Sequence, residues 1–152
     1  MGLDVTAMSK IAIDKVDGEP SLYSVGFPQS NMEKFEDEPI TYEQAHSFRA
    51  GSYSGYNAMR RELCELINGI PPEVLWAHED GPEWHKKPFY WLINFSDCEG
   101  YIGTDYCKIL LKDCEDHWDT IQIKGSDYLK DVMNDFRKAF ELGADDGVVK
   151  FH

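Results

Sequence analysis

The stretch "FRAGSYSGYN", residues 48 to 57, places Arg49, Ser52, Tyr53, Ser54, Tyr56 and Asn57 between a strand-like segment and a helical one. Such a junction can bind an anion. The first backbone N–H groups of a helix have no partner within it, and the aligned peptide dipoles favour negative charge there. With Ser54 as N-cap, the N–H groups of residues 55 to 57 point out of the helix, and Arg49, Ser52 and Tyr53 can complete a phosphate or carboxylate site. The plainer reading is that the serines only cap, Gly51 and Gly55 relax the turn, and Arg49 pairs with one of the chain's many acids.

A second polar turn lies in "INFSDCEGYIG", residues 93 to 103, where an apolar run delivers Ser96, Asp97, Cys98 and Glu99 into a glycine-flanked loop. Ser96, Asp97 and Glu99 are candidate ligand-binding groups, since rigid elements fix loop residues that remain accessible. Cys98 would act as a nucleophile only with a histidine beside it, from His46, His85 or His152. The two adjacent carboxylates oppose that role, because like charge disfavours a thiolate. No nucleophile, base and orienting group fall at a recognisable spacing, so no catalytic residue is assigned. A hydrolase or transferase using Cys98 or the Asp97 and Glu99 carboxylates stands as an alternative.

Metal binding has weaker support. Asp97, Glu99, Asp145, Asp146, His152, "HED" at 78 to 80 and His85 could all ligate, but there is no C-x-x-C or H-E-x-x-H pair. Neither a metal nor a cofactor is expected. The two turns, 49 to 56 and 96 to 99, should meet within about 10 Å at one edge of a sheet if they form a single pocket.

The elements that must position these groups follow from periodicity. "LDVTAMSKIAI" (3 to 13) and "SLYSVGF" (21 to 27) alternate like half-buried strands and suggest a hairpin; "NMEKFEDEP" is a solvated acidic loop. "AHSFRAG", 45 to 51, is the third strand. A helix from about Gly55 to Ile67 carries Tyr56, Met59, Leu63, Leu66 and Ile67 at three- and four-residue steps and stops at "NG".

A long Pro-rich loop at about 69 to 88 then holds Trp76, Trp84 and His85, with one helical turn in "EVLWAHE". Its aromatics either anchor a partner or fold back over the sheet. "PFYWLINF", 88 to 95, reads as a central strand because it is almost continuously apolar. Further helices begin near Thr104 and at Ser126 or Asp127, the latter ending at Gly143, and "GVVKFH" closes as a strand. The expected fold is a single α+β domain over residues 1 to 152. It has a mainly antiparallel sheet of about four or five strands and about three helices on one face, in the order β-β-β-α-β-α-α-β.

Composition limits the partners. Twenty-eight acids against 15 Lys and Arg give a formal charge of −13, which repels nucleic acids and anionic membranes. No apolar run is long enough to span a membrane and no leader-like start is present, so a cytoplasmic protein is expected. Cys64, Cys107 and Cys114 fall on apolar helical stripes, as reduced buried thiols do.

Taken together, "MGLDVTA", "FRAGSYSGYN", "INFSDCEGYIG" and "ADDGVVKFH" resemble a family of uncharacterised proteins of bacteriophages and prophages; the likeness lapses mainly in 14 to 44 and 69 to 87. The resemblance implies a small protein acting in the cytoplasm of a host cell. Two functions fit that context: sequestering a polar small molecule, such as a phosphate-bearing nucleotide, to counter host defence, or blocking a host defence or nucleic-acid-handling protein through the acidic surface.

Overall fold

The alternation in "GLDVTAM" is realised as strand β1 (Gly2–Met8), which buries Leu3, Val5 and Ala7 and turns Gly2, Asp4 and Thr6 to the opposite face. The structure is a computed structural model and describes residues 2–13, 40–95 and 100–152. β1 pairs on one side with β4 (Ala45–Ser52) and on the other with β6 (Val148–Phe151), which in turn pairs with β5 (Gly100–Gly103). All three pairings are antiparallel, giving the order β4-β1-β6-β5. A separate two-stranded ribbon joins β2 (Ala12–Ile13) to β3 (Ile40–Thr41).

Three long helices cover one face of the sheet: α1 (Tyr53–Asn68), α4 (Thr104–Lys124) and α5 (Asp127–Gly143). Their buried residues recur at helical spacing: Tyr56, Met59 and Leu63 on α1, Cys107, Leu110 and Cys114 on α4, and Leu129, Met133, Phe136 and Phe140 on α5. These side chains form one core with Leu3, Val5, Ala7, Val149 and Phe151 of the sheet. The α4–α5 contact is close because Gly143 has no side chain: a Cβ there would lie 2.4 Å from Cys107 Sγ. A single α+β domain with an antiparallel sheet and helices on one face is thus the architecture.

Three local expectations change. The segment 3 to 13 is not one strand, because β1 ends at Met8 and Lys10 takes a left-handed conformation (φ 46°) before β2. The strand and hairpin expected at 21 to 27 lie outside the described residues. Helix α1 starts at Tyr53, with Ser52 and not Ser54 as N-cap: Ser52 stays extended (ψ 165°), and its hydroxyl accepts from Gly55 N–H at 3.0 Å.

The largest change concerns 88 to 95, which contributes no strand. Tyr90–Ile93 form the short helix α3, with Ile93 N–H donating to Phe89 O at 2.9 Å and Asn94 N–H to Tyr90 O at 2.8 Å. An apolar run buried on several sides carries no period, so burial alone cannot separate strand from helix. Phe89, Tyr90, Leu92, Ile93 and Phe95 are all buried, and Asp113 Oδ2 accepts from Phe89 N–H at 2.9 Å at the start of the turn. The fourth strand of the sheet is instead the next segment, 100 to 103.

The Pro-rich connection is ordered around α2 (Pro72–Ala77) and a short 3₁₀ turn at Trp84–Lys86. Its aromatics fold back onto the domain. Trp76 Nε1–H donates to Ile93 O at 3.3 Å, and Trp84 packs against the core while stacking on His78 at 4.3 Å. The buried Arg60 donates to the same Ile93 carbonyl at 2.8 Å, with its guanidinium 5.1 Å from the Tyr56 ring and 5.2 Å from Trp76. α1, α2 and α3 are thereby joined at one carbonyl.

Candidate functional site

The face of the sheet turned away from the long helices carries the polar residues of the strand alternation. In the β1–β4 register Asp4 stands opposite Arg49, Thr6 opposite Ser47, and Gly2 opposite Ser52. Thr6 is also opposite Lys150 on β6, and the backbones of Asp4 and His152 exchange hydrogen bonds at 2.8 and 3.0 Å. Partners in antiparallel strands share a face. The register therefore lines up Ser52, Arg49, Asp4, Ser47, Thr6 and His152 as one strip.

Within the strip every group has a defined neighbour. Arg49 Nε–H and Nη2–H donate to the two oxygens of Asp4 at 2.9 and 3.0 Å. That bidentate bond holds the Asp4 carboxyl below the usual carboxylate range and raises the Arg49 guanidinium further. The Arg49 side chain nonetheless remains 62% exposed. Next along the strip, Thr6 Oγ1 lies 3.0 Å from Ser47 Oγ and 2.9 Å from His152 Nε2. Lys150 leans the other way, with its ammonium 5.7 Å from the Tyr101 ring. The β5–β6 side of this face is covered, since Tyr101 and Val148 are buried, whereas Ser47, Arg49, Ser52 and His152 are exposed.

The bend that leads from this strip into α1 is built into β4. The register shifts between Leu3 and Asp4, so that Ala50 is an extra residue and Gly51 adopts φ 114°. A side chain at Gly51 would meet the Tyr128 hydroxyl at 2.5 Å, and that hydroxyl donates to Ala50 O. The α1 entrance is therefore closed on one side by Tyr128 from the first turn of α5.

Of the residues singled out in the sequence, Arg49, Ser52 and Ser54 lie at this exposed junction, with the two serine hydroxyls 3.1 Å apart. Arg49 is paired with an acid, and Ser52 spends its hydroxyl on the cap. Tyr53 is half-buried against the core. Tyr56 is fully buried, and its hydroxyl donates to Phe95 O at 2.9 Å, so it serves packing and not the surface. Asn57 is exposed, and its side-chain oxygen accepts from Arg60.

Ser96, Asp97, Cys98 and Glu99 lie outside the described residues, and so does the separation of the two turns. Their flanks are placed: Phe95 touches Tyr56 of α1, whereas Gly100 begins β5, at the opposite edge of the sheet from β4. The second turn follows a helix and precedes a strand, the reverse of the expected order.

The histidines fall at separate places. His46 Nε2 lies 3.0 Å from Asp135 Oδ1 on the helix side, His85 Nε2–H donates to Glu79 O at 2.5 Å, and only His152 joins the strip. Burial pushes the Cys64 thiol up to about 11 and the Cys107 and Cys114 thiols higher still, so none of these three is a ready nucleophile. Among the described residues no group of three or more His, Cys, Asp or Glu side chains is placed to hold a metal ion. No helix among them is long and apolar enough to cross a membrane.

Asp4, Thr6, Ser47 and His152 were not picked out together from the sequence. Asp4, Thr6 and Ser47 are polar members of alternating strands, and that pattern was their one signal, whereas His152 follows β6 directly. Their convergence depends on pairing between segments more than forty residues apart. No family model, curated protein or solved structure matches the chain.

Proposed function

We propose that this chain is a binding protein for a polar, phosphate-bearing small molecule, taken up on the exposed strip between Ser52 and His152 with Arg49 at its centre. The observation that carries this reading is the placement of Arg49: an exposed guanidinium held in one orientation by Asp4, on a strand that also carries Ser47 and Ser52. A prearranged arginine loses little freedom when it binds an oxyanion, and its planar fork suits phosphate or carboxylate. Asp4 occupies that fork as an internal carboxylate, which a ligand oxyanion can replace or share.

In the phage context suggested by the sequence motifs, such a protein acts inside the host cell by sequestering a nucleotide-like signal. The partner-blocking alternative draws less support, because Trp76 and Trp84 pack inward and offer no projecting aromatic anchor. The reading is tested by thermal denaturation against a panel of nucleotides and sugar phosphates. A ligand at a hundred times its Kd stabilises the fold by about 2.7 kcal/mol, a readily measured shift. At least one phosphate-bearing compound should raise the melting temperature of the wild type and not that of Arg49→Ala. A panel that shifts neither protein, or both equally, contradicts it.

A further inference from the structure

We infer that the outer edge of β4 docks an extended, basic segment of a partner protein, which joins the sheet as an added antiparallel strand; this goes beyond the small-molecule reading and uses backbone groups and a helix face that reading does not. β4 and β5 are the two edges of the sheet. β5 has four residues, all buried, whereas β4 has eight and, among the described residues, pairs with β1 alone. In an antiparallel sheet both backbone groups of one residue point to one neighbouring strand, and those of the next residue point to the other. Asp4 exchanges its bonds with His152 on the β6 side, so Val5 and Ala7 turn theirs toward Phe48 and His46 of β4. The N–H and C=O groups of Ser47 and Arg49 therefore face outward from the sheet. The apolar side of this edge is also incomplete: Phe48 packs edge-on against Phe136 at 5.1 Å yet is only half-buried, while its neighbour Val5 is fully buried.

Helix α5 sets the chemistry of the occupant. The Tyr128 hydroxyl donates to Ala50 O, and Asp135 Oδ1 lies 3.0 Å from His46 Nε2, so α5 runs alongside β4. Asp131 is exposed, one turn from each of these residues and on the same helix face. The opposite face is turned to α4, where the Arg137 guanidinium lies 4.7 Å from the Trp118 ring. Asp131 and Asp135 thus border the open edge. An added strand sets alternate side chains beside Phe48 and His46, where the stem of a lysine or arginine covers the Phe48 ring and its charge reaches the two carboxylates. A second copy of the chain fits less well, because joining β4 to β4 brings together the acidic rows of two chains that each carry a formal charge of −13.

The test uses the full chain and fluorescence anisotropy with a peptide of about eight residues alternating threonine and lysine. Its controls are a form with glutamate for lysine and two N-methylated forms, one methylated at the central threonines and one at the central lysines. Antiparallel addition pairs the threonine backbone with Ser47 and Arg49 and turns the lysine N–H groups to solvent. The glutamate form and the threonine-methylated form should bind at least about tenfold more weakly than the parent, and the lysine-methylated form within about threefold of it. Asp131→Lys, shown to be folded by circular dichroism, should weaken the parent peptide at least about fivefold. Equal binding of the two methylated forms reduces the contact to charge alone and overturns the inference, as does failure of the parent peptide to bind. A dimer of the chain that excludes the peptide assigns the edge to a second copy and also overturns it. None of these outcomes bears on the small-molecule reading, which Arg49→Ala tests separately.

Discussion

The Arg49 side chain lies over Gly2: a Cβ built on Gly2 would fall 2.8 Å from Arg49 Nη1 and 2.9 Å from its Cδ. The glycine is the floor on which the guanidinium rests while it reaches Asp4. Because the clash is with the far end of a flexible side chain, Gly2→Ala should displace Arg49 without unfolding the domain. The expected outcome is an unchanged urea midpoint together with loss of the Asp4–Arg49 bond, seen in the NMR signals of the Arg49 Nε–H. Ligand binding at the strip should weaken several-fold. Retention of that signal in its wild-type position would contradict the packing described.

Gly143 makes the corresponding test in the core. Its Cβ would lie 2.4 Å from Cys107 Sγ and 3.2 Å from Val149 Cγ2, so Gly143→Ala overpacks the α4–α5 contact. Overpacking of this kind costs about 1–3 kcal/mol. Adding Cys107→Ala should recover part of that loss, and the recovery, measured by urea denaturation, reports the contact between these two residues.

Ser52 and Ser54 offer a direct comparison of two adjacent candidates. Ser52 accepts from Gly55 N–H, whereas Ser54 lies inside the first turn. Ser52→Ala should cost about 1 kcal/mol of stability, and Ser54→Ala should be close to neutral. Equal effects would show that the cap is shared.

Asp113 links stability to pH. Burial raises its carboxyl to about 6, against a smaller opposing effect from the Phe89 N–H bond. A group whose folded pKa lies above its unfolded value stabilises the fold when protonated. Its contribution is complete below about pH 4, the ordinary aspartate range, and is lost as pH rises through 6. Asp113→Asn keeps an oxygen acceptor for Phe89 N–H and cannot ionise. The variant should match the wild type near pH 4 and exceed it at pH 7 in urea midpoint; a variant less stable than the wild type at pH 7 would show that the ionised carboxylate is needed for the turn.

Much of the fold is legible in local pattern. The three- and four-residue steps of Tyr56, Met59 and Leu63, and of Leu129, Met133, Phe136 and Phe140, mark α1 and α5 because each helix buries one stripe. Likewise, Leu3, Val5 and Ala7 mark β1 because one face of the sheet is covered. "PFYWLINF" was misleading for the opposite reason: it is buried from several directions, so its sequence has no polar face to disclose a period. The choice between Ser52 and Ser54 as cap was also hidden, since both fit the local rule. Pairing of Ser52 with Gly2 on β1 decides it by keeping Ser52 extended.

The polar strip was half legible. Arg49 and Ser52 stand in a conspicuous motif, but Asp4, Thr6, Ser47 and His152 look like ordinary outward positions of strands until the register is known. Long-range pairing, which no local pattern encodes, is what makes them neighbours.

The most direct test of the account is native mass spectrometry of the wild-type chain and of Arg49→Ala, each purified from the cells that express it. The account predicts that the wild type retains a small phosphate-bearing mass and that Arg49→Ala does not, with both proteins folded. A co-purifying basic protein that remains bound to Arg49→Ala, with no small mass on either chain, would contradict it.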